Sequence, residues 1–200
     1  MWEAIIINAY SYYKQARDAS WKCLLDTGIN FLPVQTLKIA EHFGIDVVKN
    51  STVNMLMPSE YGCSIVDKNG KWTIIYEDTD PKGRIRFTVA HELGHILLGH
   101  ELSDGFGHYR RITVGKPTNE KQADEFAARL LAPACVLWAL NATSAQAIAD
   151  LCDISMSAAQ YRSKRMEKLV ERNMFLTHPM EKKVFQAFAP WIEQQQKHRP

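Results

Sequence analysis

Two histidines and a glutamate, in the run His91-Glu92-Leu93-Gly94-His95, interrupt an otherwise apolar stretch at residues 87–98. Burying such side chains is costly unless each finds a polar partner, so this pentapeptide constrains the fold more than any other segment. In a helix, residues four apart share a face, one turn above the other. Two imidazoles placed so can converge on one ion at about 2.0–2.1 Å each. Glu92 falls beside them, where it reaches a metal-held water without ligating the metal. Zinc lowers the pKa of such a water toward ~7, and a carboxylate can take its proton. The spacing is that of a zinc-protease helix. The bland alternative, two core histidines satisfied by carbonyls, fits an apolar helix poorly.

A catalytic zinc needs a third protein ligand. The pattern with a third His three residues beyond a Gly is offset here: His100 comes one residue early and falls well round the helix from His95. His100 is therefore expected to cap the helix end, where partial positive charge is welcome. The better candidate is Glu120. In residues 119–131 the apolar stripe is Ala123, Phe126, Ala127, Leu130 and Leu131, with Lys121, Gln122, Glu125 and Arg129 opposite. Glu120 and Asp124 lie one turn apart on its margin, where a carboxylate needs pairing. A metal ion would pair the first, and the N–H of His91 the second. The competing readings are a solvated first-turn carboxylate for Glu120 and a plain surface aspartate for Asp124.

The rest of the chain supplies a frame. With 200 residues, 46% hydrophobic, 23% charged and net charge +2, it has the profile of a globular protein with no strong field for nucleic acid or membrane. Residues 2–25 carry apolar residues at helical spacing and read as one or two helices. A further helix is expected from Pro33, in its first turn, to Gly44, followed by a short strand at 45–48. Residues 61–67 and 71–78 flank Asn69-Gly70 and read as a hairpin with a tight turn. Residues 101–118 read as an irregular loop, and everything beyond about 136 as helical. No run approaches the ~20 apolar residues of a membrane span. The four cysteines are widely spaced, and the apolar run at residues 4–7 is short and lacks a basic lead. Reduced thiols and a cytoplasmic location are the expectation.

The chain resembles the ImmA/IrrE family of metallo-endopeptidases, a gluzincin-like group. The likeness is carried by the HELGHILLGH run at 91–100 within FTVA-HELGH, by EKQADEFAARLLAP at 120–133, and by Leu32-Pro33, Ile39-Ala40 and Gly44-Ile45 upstream. It covers roughly residues 30–135 and rests on two separated motifs in order. Ala132 stands where the family often has Met. The resemblance implies an α+β fold, a minimal zincin-like core in which a small sheet packs on the metal-binding helix, with a helical C-terminal extension. It implies one Zn2+ per chain, held by His91, His95 and Glu120, with Glu92 as general base and Asp124 supporting a ligand. It also implies a protein substrate, a helix-turn-helix transcriptional repressor of a phage, mobile element or stress response. The hairpin would then supply the strand beside the cleft, with substrate extended along its edge. His108, Tyr109 and Tyr76 are candidate oxyanion or substrate contacts, and spacing does not select among them.

The expected division is a metallopeptidase domain at 1–136 and a helical region at 137–200. Within the latter, residues 144–168 have the rhythm of a helix-turn-helix. Ala149, Leu151, Ile154 and Ala159 are its expected inner positions, Ser155 its second cap, and Arg162, Lys164, Arg165 and Lys168 a basic surface. Asp153 replaces the usual turn Gly, and Asp150, Glu167 and Glu171 dilute the charge. A packing or substrate-docking role is favoured over direct DNA binding. The alternative function is a DNA-binding or partner-binding regulator with structural or vestigial zinc.

Overall fold

The computed structural model describes residues 2–103, 110–112 and 117–197. By packing, the chain divides into two compact units, residues 1–20 with 36–127 and residues 21–35 with 128–200. Its class is α+β, with a small sheet in the first unit and helices alone in the second, among the described residues. No described helix is long and apolar enough to cross a membrane.

One helix, α1 (Trp2–Asp26), occupies the N-terminal stretch. Pro33 does not open the next helix: the chain bends at residues 31–33, and α2 (Thr36–His42) starts beyond the bend. The end of α2 is where glycine was expected. Gly44 adopts φ 67°, and the N–H groups of Gly44 and Ile45 bond back to Glu41 and Ala40. This double closure satisfies carbonyls that the helix end leaves open.

The sheet of the first unit has the order β1-β3-β2-β5-β4. β1 (Asp46–Lys49) runs parallel to β3 (Trp72–Tyr76), and β2 (Gly62–Val66) pairs antiparallel with β3. A one-turn helix, α3 (Asn50–Val53), follows β1. The hairpin turn is looser than the sequence suggested. Only Gly70 has positive φ, at 82°, and Asp67 N–H bonds to the Lys71 carbonyl around a three-residue loop. Asp67 Oδ1 accepts from the N–H groups of Asn69 and Lys71 and ties the loop shut. Residues 101–118 were expected to be irregular, yet they contribute β4 (Leu102–Ser103) and β5 (Arg110–Ile112). Strands of two and three residues are too short to show an alternation. As a consequence β2 is not a free edge, because β5 pairs with it at Ile65 and Val66.

Helix α4 (Lys82–Leu97) lies against β2 and β3, burying Val89, Ala90 and Leu93. Gly62 makes the close approach possible: a Cβ there would lie 2.4 Å from Thr88 Cγ2. On the sheet's other face Cys63, Ile65 and Ile75 form a small core under Met55 and Leu56. Helix α5 (Pro117–Leu131) starts two residues before Asn119.

The second unit contains α6 (Ala134–Ala139), α7 (Ala145–Cys152), α8 (Met156–Glu171) and α9 (Pro179–Lys197). Ser144 and Ser155 cap α7 and α8, accepting from Ala147 N–H and Ala158 N–H. Asp153 takes the left-handed turn position at φ 52°, which a short polar side chain tolerates better than most. The inner positions of α7 are Ile148 and Cys152, with Ala149, Leu151 and Ile154 only half-buried, so the sequence reading was out of phase there; Ala159 is buried as expected. Arg162 is not part of a basic surface. It is 4% exposed, and its Nε–H donates to the Ala132 carbonyl at 2.8 Å, just past the end of α5, where carbonyls lack helical partners. All four cysteines are buried thiols outside any disulfide, and burial pushes the Cys23 and Cys135 thiols up to about 12.

Candidate metal centre

Helix α4 presents His91 and His95 one turn apart, and α5 brings Glu120 to them. The approach of the two helices depends on Gly94. A Cβ on Gly94 would lie 3.0 Å from Phe126 Cδ1, 3.2 Å from Ala123 Cα and 3.3 Å from the Ala123 carbonyl. The residue between the motif's polar members is thus where α5 makes its close passage, one turn beyond Glu120.

The Nε2 atoms of His91 and His95 lie 2.9 Å apart. Glu120 Oε2 is 3.3 Å from His91 Nε2, and Glu120 Oε1 is 3.7 Å from His95 Nε2. One donor atom from each of the three residues falls within 4.8 Å of the other two. Two nitrogens on a tetrahedral ion at 2.0–2.1 Å would stand about 3.3 Å apart, so a small adjustment suffices. The outer nitrogens have other partners. His91 Nδ1–H donates to Asp124 Oδ1 at 2.9 Å, and His95 Nδ1 meets His100 Nδ1 at 2.8 Å. A neutral imidazole whose Nδ1 carries the proton turns a lone pair outward at Nε2. Two such lone pairs and a carboxylate converging on one point are a donor set for a divalent cation, and the residues fit a metal.

Burial works against charge on His91, yet the hydrogen bonds to Asp124 and Glu120 and the neighbouring Glu92 charge outweigh it and push the ring up to about 10. For His95, burial and the adjacent His91 charge both act downward. The two rings are thus pushed in opposite directions, His91 up and His95 down.

Glu92 is 8% exposed and sits on the sheet side of α4. Ser64 Oγ donates to Glu92 Oε2 at 2.7 Å. Gly62 and Ser64 from β2, with Phe87, Thr88 and the metal-site residues, line one cleft. Sequence reasoning missed Ser64; the available signal was a hydroxyl alternating with Gly62 and Val66 on the face of β2 that meets α4.

The structure brings His91, Glu92, His95, Glu120 and Asp124 together around this cleft. Tyr76 is not among the residues that line it; it pairs with Gly62 at the end of β3. His108 and Tyr109 lie outside the described residues. Two further expectations are corrected. His100 does not cap the helix end as a cation: its ring bonds to His95 and, through Nε2–H, to Gln122 Oε1 at 3.0 Å, and burial lowers its pKa. Gln122 and Arg129, assigned to the polar face of α5, are buried at 6% and 7%.

A helix bearing two histidines and a glutamate, crossed by a second helix bearing a carboxylate, defines a metallopeptidase-like domain. The family described as IrrE N-terminal-like domain, Peptidase M78, matches residues 40–164, and the chain belongs to it. Membership suggests peptidase activity, and the His91–His95–Glu120 cluster is compatible with a metal site. No curated protein matches the chain.

Proposed function

We propose that the protein is a zinc-dependent endopeptidase acting on a regulatory protein. The observation that carries this reading is the convergence of His91 Nε2, His95 Nε2 and a Glu120 oxygen beside a buried Glu92. A structural zinc normally has four protein ligands, often thiolates, whereas three ligands and an adjacent carboxylate make an open site. His91, His95 and Glu120 would hold the ion, and Asp124 would fix the His91 ring. Bound zinc would supply Lewis acidity and a water of lowered pKa. Glu92 takes a proton from the attacking water and passes it to the departing amine. Ser64 holds one oxygen of that carboxylate in place from β2.

The substrate class follows from family resemblance: a helix-turn-helix repressor of a phage, mobile element or stress response, cleaved in the cytoplasm. The helices beyond residue 136, proposed as a separate region, would dock this substrate. Direct DNA contact by them is disfavoured, because Arg162 is buried and Glu167 and Glu171 are exposed beside Lys164 and Lys168.

The test is cleavage of candidate repressors by wild type and by Glu92→Gln. The substitution is expected to cost about 10²–10⁴-fold in rate while metal content is unchanged. Cleavage at the wild-type rate by Glu92→Gln would defeat the mechanism.

A further inference from the structure

Beyond the ligands, a line of hydrogen bonds runs from His95 to the first helix, and its direction can be read from one end. Gln122 Nε2 faces the backbone carbonyl of Tyr12 at 3.3 Å and Gln15 Oε1 at 2.9 Å. A backbone carbonyl only accepts, so the amide nitrogen of Gln122 must point at α1. Its Oε1 then points at His100 Nε2, 3.0 Å away, and that nitrogen must carry a proton. A neutral His100 is left with a lone pair at Nδ1, which lies 2.8 Å from His95 Nδ1. His95 donates there, and its own lone pair is turned to Nε2, toward His91 and Glu120.

The turn after α4 builds the middle of this line. Gly99 adopts φ 67°, its N–H bonds to the Ile96 carbonyl, and His100 N–H bonds to the His95 carbonyl. That helix-ending motif commonly brings two apolar side chains together across the turn. Here it brings two imidazoles together instead.

We propose that His100 and Gln122 are positioning residues that hold His95 in the metal-binding tautomer and anchor its ring to α1 through Gln15 and the Tyr12 carbonyl. The proposal rests on the metal-site reading above. Asp124 does the corresponding task for His91, so each histidine ligand has an oriented outer partner, one a carboxylate and the other a histidine–amide relay. Outer partners of this kind typically govern metal affinity by about 10–100-fold.

The test measures zinc affinity by competition with a chromophoric chelator, on the full chain, for wild type, His100→Ala, His100→Asn and Gln122→Leu. The thermal midpoint of each apoprotein reports folding. His100→Ala is expected to weaken zinc binding about 10–100-fold. His100→Asn, whose Oδ1 stands where Nδ1 does and can accept from His95, should recover most of that loss. A purely structural role would not give this rescue. Gln122→Leu keeps the volume but removes the acceptor, and should weaken binding by less than His100→Ala. Nitrogen-15 shifts of zinc-loaded wild type should show the His95 proton on Nδ1. Wild-type affinity in a folded His100→Ala, or a His95 proton on Nε2, would overturn this proposal and leave the metal site standing. A wild type that binds no zinc would overturn both.

Discussion

The α4–α5 pair and the α7–α8 pair are both helix pairs, yet they are built by different rules. Helices α7 and α8 follow local chemistry: a serine caps each, a left-handed residue turns the chain between them, and Ile148, Cys152 and Ala159 are buried. Helix α4 has no side-chain cap at its start, where Pro81 stands, and its buried face carries Glu92 and His95 among Val89, Ala90 and Leu93. Alternation of polar and apolar groups on one buried face is a local conflict that ordinary packing does not repay. Such conflicts concentrate at functional sites, where a ligand or network supplies the compensation. The two pairs thus separate residues that make a helix from residues that a helix is made to hold.

The sharpest way to break this contrast is Gly94→Ala. A better helix former stabilises α4 by up to about 1 kcal/mol, while overpacking against α5 costs about 1–3 kcal/mol. The net change in apoprotein stability is therefore small. Metal affinity should instead fall at least about tenfold, because the outer partners and ligands that set affinity on this scale ride on the displaced α5. Chelator competition beside a thermal melt checks both; unchanged affinity would mean that Gly94 does not govern the placement of Glu120. In the other pair, Ser155→Ala should cost about 1 kcal/mol in stability by loss of the cap. It should leave zinc affinity untouched, and a urea titration with metal analysis would show any departure. The smallest effect belongs to the hairpin. Hydrogen bonds from Lys71 N–H, first, and Asn69 N–H hold the Asp67 carboxyl below its ordinary value. Its folded pKa is depressed, so its contribution is present above the unfolded value of about 3.9 and lost as pH falls through the folded pKa. Asp67→Ala should accordingly flatten the acid limb of the stability curve, and an unaltered limb would remove Asp67 from the account.

The sequence made the candidate cluster legible because metal chemistry would demand residue types that an apolar helix otherwise excludes. His91, Glu92 and His95 stand out against residues 87–98, and Glu120 and Asp124 against the stripe of α5. The rest depended on distance in sequence. Gln122 and Arg162 are polar by composition and buried by partners 22 and 30 positions away, which helical periodicity cannot register. His100 was read from its place at a helix end, while its partner is the ring of His95 across the Gly99 turn. Strands β4 and β5 are too short to carry a pattern, and their pairing alone reveals that β2 is not an edge.

The most direct measurement is metal per chain by elemental analysis, on wild type and His95→Ala purified without chelator and then offered zinc. The account predicts close to one zinc in the wild type and little or none in a folded His95→Ala. A folded wild type that takes up no zinc, or a His95→Ala that retains it, would contradict the proposed centre.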